Sequence, residues 1–169
     1  MIRGHSALLR QPGPVTAVYK ALQQIPVEGW GQQGNGDTGS NYTRYTGRIT
    51  LTCDFVLEVV GINFYAAQNY KVAFVDGTGS SPGDLVVIDA AFAATGGRAF
   101  DLITPSAPIY LAKGVHYLSH LGASTKVTAN LTDNSVTINE YLTLSGSYFN
   151  GSNSTSWTPG FVLFGKRMT

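Results

Sequence analysis

One cysteine, Cys53, stands among 169 residues. A lone thiol closes no disulfide within the chain and builds no thiolate metal cluster, which excludes a disulfide-stapled scaffold and a zinc ribbon. Asp54 follows it directly, and a neighbouring carboxylate disfavours the thiolate that a cysteine nucleophile needs. Charge is scarce as well. Charged residues make up 12% of the chain, against about 25% in an average protein. Eleven basic and ten acidic residues leave a net charge of +1. That balance is too even for a surface that tracks phosphates, so no nucleic-acid partner is expected. No apolar run approaches the roughly 20 residues of a membrane-spanning helix. Ala7-Leu8-Leu9, cut off by Arg10, is too short for the apolar core of a secretion signal. The expectation is synthesis in a cytoplasm, without a secretion signal and with no membrane partner.

What is present suits short strands joined by turns. Hydrophobic residues reach 43%, and there are 20 glycines beside abundant Ser, Thr and Asn. Residues 1–42 read as an extended N-terminal arm. Gln11-Pro12-Gly13-Pro14 breaks any helix. Val15–Leu22 fits a short helix or an extended segment equally well. Glycines at 29, 31, 34, 36 and 39 disfavour regular structure. Residues 43–169 read as a β-sandwich domain. Alternating or β-branched runs predict strands over 44–52, 55–65, 70–76, 85–90, 98–103, 115–121, 126–131, 135–144 and 160–165, with a bulge or bend at Gly61. Over 135–144, Val136, Ile138, Leu142 and Leu144 share one face. No helical pattern is long enough to cross over between parallel strands. The fold class predicted is all-β: an antiparallel two-sheet sandwich, jelly-roll-like, with an extended N-terminal arm.

The chemistry-bearing residues form no catalytic set. His116 and His120 have helical metal-ligand spacing, but in a strand their Cα atoms lie ~13 Å apart, too far to share an ion. Asp76 and Asp84 bracket a polar loop that lacks EF-hand spacing and reads as a hairpin connection. No Asp/Glu cluster suggests a hydrolase pair, and no phosphate-loop motif is present. No catalytic residue, cofactor or metal ligand is therefore assigned. Partner binding is expected instead at Trp30, in the glycine-rich arm, and in the stretch Ser147–Trp157, through Tyr148, Asn150, Asn153 and Trp157. Tryptophan and tyrosine bury large areas on docking, and Asn and Ser supply adaptable hydrogen bonds. That stretch is expected to be an exposed loop at one end of the sandwich.

Four segments carry a resemblance: Val59-Val60-Gly61-Ile62-Asn63-Phe64-Tyr65, Tyr70–Asp76, Gly83–Ile88 and Pro108–Tyr117. Their cadence, V-x-G-I-x-F-Y and then P-x-x-L-x-x-G-x-x-Y, resembles β-sandwich modules of glycan-associated extracellular proteins and of bacteriophage virion proteins. It spans residues 49–121. The preceding glycine-rich arm and the lack of an enzyme domain point to the phage group. The resemblance implies a non-enzymatic virion component, located in the particle: a capsid decoration or cement protein that bridges neighbouring subunits. It would work as a homo-oligomer, expected to be a homotrimer, with the major capsid protein as a further partner. The alternative it implies is a receptor-binding or carbohydrate-binding module of a tail fibre, with a host glycan as partner.

Overall fold

The structure, a computed structural model, describes residues 28–31, 36–37, 43–79, 82–97, 100–122, 128–130, 135–154 and 158–168. Every regular element among them is a strand: β1 (Glu28–Gly31), β2 (Gly36–Asp37), β3 (Arg44–Leu51), β4 (Phe55–Asn63), β5 (Asn69–Val75), β6 (Asp84–Ala93), β7 (Phe100–Ile103), β8 (Ile109–Leu111), β9 (Gly114–Leu121), β10 (Thr128–Asn130), β11 (Ser135–Thr137), β12 (Leu142–Phe149), β13 (Ser152–Ser154), β14 (Thr158–Pro159) and β15 (Phe161–Arg167). All pairings are antiparallel. The wider sheet runs β12-β3-β9-β5-β6, with β11 and β13 sharing the outer edge of β12. The narrower sheet runs β1-β15-β4, with β7 and β8 sharing the far edge of β4. The chain crosses between the two after β3, β4, β6 and β8, and β14-β10-β2 forms a small third sheet. This is the antiparallel two-sheet sandwich that the alternating runs predict.

Alternation decides which residues fill the space between the sheets. On β3, Tyr45, Ile49 and Leu51 point inward, and on β5 so do Tyr70, Val72 and Phe74; all are buried. They meet Phe55, Leu57, Val60 and Ile62 of β4 and Phe161 and Leu163 of β15 in one core cluster. Each such side chain contributes about 1.5–3 kcal/mol relative to an exposed one. The parity of the inward residues on β4 changes between Leu57 and Val60 because Glu58 is an extra residue: Phe164 pairs with Val59, but Gly165 pairs with Leu57. The bulge thus lies at Glu58, not at the expected Gly61, and Gly61 continues the strand.

Two further expectations change. Residues 135–144 are not one strand. β11 turns back at Ile138–Tyr141 and pairs with β12, placing Val136 opposite Leu144. Asn139 closes this turn, its Oδ1 accepting hydrogen bonds from the backbone N–H groups of Tyr141 and Leu142, both at 2.8 Å. The second change concerns the N-terminal arm. β1 lies within residues 1–42, yet its backbone completes the narrower sheet, with Glu28–Gly31 paired to Gly165–Val162; β2 pairs with β10. These two segments of the expected arm are therefore paired with strands of the chain's own sheets. Residues 1–27 lie outside the described residues.

Candidate functional site

The two sheets turn different surfaces outward. On the wider sheet, Thr46, Arg48 and Thr50 of β3 alternate with inward residues. The pairing register sets Thr46 between Tyr148 and Ser119, and Arg48 between Ser145 and Tyr117. Tyr117 and Tyr148 meet across β3 with ring centroids 6.4 Å apart in an edge-on arrangement. Thr46 Oγ1 donates to Ser119 Oγ at 3.1 Å beneath them. Arg44, on the same face, donates from Nη1 to the carbonyl of Gly79 at 3.3 Å, tying the β5–β6 loop to β3. Thr46 and Ser119 are buried and satisfied by each other, so what this part of the face offers a partner is the half-buried tyrosine pair and the guanidinium, groups suited to stacking and hydrogen bonding.

Tyr148 reaches this face through a second bulge. The β12–β3 register shifts between Ser145 and Ser147. Gly146 there has a φ of 63°, a conformation glycine adopts without strain. The Tyr148 hydroxyl lies 3.3 Å from where a Cβ on Gly146 would stand. A larger residue at 146 would strain the backbone and displace the Tyr148 ring.

The other expected partner-binding residues separate. Ser147–Trp157 is not a single loop. β12 runs on to Phe149, and β13 returns along it, joined through Asn150 and Gly151. Both turn residues have positive φ, 49° and 87°, as a tight type I′ hairpin requires. The Asn150 side chain is engaged: its Oδ1 accepts from Thr43 N, Thr43 Oγ1 and Arg44 N, each at 3.1 Å. It also borders a shallow depression of about 360 Å³, lined by Thr43, Arg44, Leu121 and Gly122. Asn150→Ala should therefore lower stability by about 1–2 kcal/mol, through lost hydrogen bonds and a left-handed backbone. Asn150→Gly should recover the backbone share, and urea unfolding reads both. The backbone at Asn153 pairs with Tyr148, and that at Trp30 pairs with Leu163. Trp157 lies outside the described residues.

The residues weighed for chemistry hold the scaffold together. Asp54 accepts from the Tyr110 hydroxyl at 2.7 Å and from Lys113 N at 2.6 Å. Partial burial, with this carboxylate beside it, pushes the Tyr110 phenol up to about 12. Asp101 accepts from Thr95 N at 3.0 Å and Thr95 Oγ1 at 2.6 Å. Glu58 pairs with Lys166 at 2.7 Å, and Asp84 pairs with Lys71. His116 and His120 share the inner face of β9. His116 Nε2 contacts the Ala112 carbonyl at 2.6 Å. His120 is packed among the rings of Tyr45, Phe64 and Tyr70. Among the described residues no group of three or more His, Cys, Asp or Glu is placed to hold a metal ion.

Tyr117 and Arg48 are the site residues that alternation alone does not single out; only the β12-β3-β9 register brings them to Tyr148. No protein-family model matches the chain, and no curated protein matches it.

Proposed function

We propose that this chain is a non-enzymatic structural protein of a bacteriophage virion: a capsid decoration protein that bridges neighbouring capsid subunits and acts as a homo-oligomer, a trimer. One observation carries the non-enzymatic part. Asp54, Asp101, Glu58 and Asp84 are each engaged in fastening a loop, a strand or a neighbouring strand. Carboxylates held in this way fasten a scaffold, which supports a structural role. The virion setting comes from the resemblance over residues 49–121. Its mechanism is mechanical. The sandwich resists local opening, and each extension that reaches a neighbouring subunit adds contact area and raises avidity.

The Tyr117–Tyr148 pair on the outer face favours a second reading, a receptor-binding or carbohydrate-binding module of a tail fibre. Copy number separates the two. Quantitative mass spectrometry of purified particles should find hundreds of copies of a decoration protein. A few tens would support the fibre reading, and absence from particles would overturn both.

A further inference from the structure

On the outer face of the wider sheet the register sets polar residues in two rows that run from β11 towards β9. In the first, Ser135 lies beside Ser145, Ser145 beside Arg48, and Arg48 beside Tyr117. In the second, Thr137 lies beside Thr143 and Thr143 beside Thr50. Ile49 and Leu51 of β3 and Leu142 and Leu144 of β12 alternate with them and are buried, so the rows face outward. Ser135 and Thr137 are exposed, and the rest are half-buried. Tyr148 meets the first row diagonally, through its edge-on contact with Tyr117.

Charge on this face has one sign. The outward positions of β11, β12, β3 and β9 hold Arg44 and Arg48 and no Asp or Glu. Arg48 forms no ion pair among the described residues, and its Nε is buried without a hydrogen-bond partner. A guanidinium partly withdrawn from water is thus left without a counter-ion, an arrangement that costs stability unless something compensates it. A carboxylate is the matching partner for that planar fork.

We infer that these rows bind a carboxylated sugar, a uronic acid unit within an acidic polysaccharide. Its carboxylate meets Arg48, its ring lies against the tyrosine pair, and its hydroxyls meet the Ser and Thr rows. The inference rests on the carbohydrate-binding reading above and names its ligand class. Three features select this ligand. A guanidinium without a carboxylate of its own matches one carboxylate, whereas a nucleic acid or other polyanion needs a track of cations, and the net charge is only +1. Tyrosine offers a ring for the apolar face of a pyranose, and serine and threonine exchange hydrogen bonds with its hydroxyls. The first row spans four strands, ~14 Å at the usual strand spacing. A run of that length on a sheet face suits an internal unit of a linear chain, where a terminal sugar calls for an enclosing pocket.

The test titrates the full chain, by calorimetry at low salt, with a panel of uronic acid oligosaccharides, their methyl esters and the neutral parent oligosaccharides. Acids in the panel should bind. The esters keep the rings and hydroxyls but lose the charge, and should bind more weakly by about tenfold or more. Arg48→Gln should lose a similar factor for the acids, and Arg48→Lys should recover part of it. Melting curves check that both variants fold. If Arg48→Gln melts early, the ester comparison decides, because it changes the ligand and leaves the protein intact. Esters or neutral oligosaccharides that bind as tightly as the acids would overturn the inference and leave the carbohydrate-binding reading standing. So would acid binding that a folded Arg48→Gln does not weaken. No binding by any member of the panel would overturn both. Acid binding by a chain present in hundreds of copies per particle would uphold the ligand and overturn the tail-fibre location.

Discussion

Gly165→Ala should destabilise the sandwich by about 3 kcal/mol or more, because among the described glycines this one has the closest backbone atom to an added methyl group. A Cβ at 165 would stand 2.0 Å from the carbonyl oxygen of Val56 and 2.9 Å from the Phe55 ring. The first of these is backbone, on the strand to which β15 is hydrogen-bonded, so relief requires pulling β15 from β4 beside the bulge. Gly61→Ala is the control. Its Cβ would meet side chains at 3.4–3.6 Å, ordinary contact distances, and the change should stay below about 1 kcal/mol. Urea unfolding of the two variants beside the wild type measures the contrast. Equal midpoints would mean that the bulge does not bring Gly165 against Val56.

His120 governs the second large effect. It is 2% exposed, and neither ring nitrogen has a hydrogen-bond partner among the described residues. Its ring lies 4.9 Å from that of Tyr45 and 5.6 Å from that of Phe64. Among the described residues the titratable groups that face the ring are the Tyr45 and Tyr70 phenols, and burial is the one cause of its shift. Burial holds the imidazole neutral, lowering its pKa from 6.5 to about 3, and burial pushes the Tyr45 phenol well above its ordinary range. The unfolded chain therefore takes up a proton at His120 that the folded chain refuses. Stability from this group is complete above pH 6.5 and is lost as pH falls from there towards 3, at about 1.4 kcal/mol per pH unit. His120→Phe keeps the shape, removes two buried polar atoms and should remove this slope. The variant should match or exceed wild-type stability at pH 7.5, by about 1 kcal/mol, with the advantage growing at pH 5. A difference that does not change between pH 7.5 and 5 would contradict neutral burial.

The same residues show what could be read from sequence. β3, β5 and β9 were legible because one face of each is buried, so their alternation is strict. β11 and β12 were not separable. The turn at Ile138–Tyr141 contains an even number of residues, so Val136, Ile138, Leu142 and Leu144 keep one parity through a reversal of direction. Asn150-Gly151 is a strong hairpin signal, hidden by the Ser- and Asn-rich residues around it. β1 was illegible for a different reason. Glu-Gly-Trp-Gly has little strand preference of its own, and its pairing is dictated by the edge of β15. The tyrosine pair and the polar rows beside Arg48 depend on register between strands far apart in sequence. No local pattern records either.

As a decoration protein, the role proposed above, the chain would strengthen a particle by bridging its subunits. Heat resistance of purified particles, with and without this chain, tests it most directly, followed by genome release on warming. Particles lacking the chain should release their genome at a clearly lower temperature, and adding back purified protein should restore the wild-type value. Unchanged release with lost adsorption to host cells would contradict it.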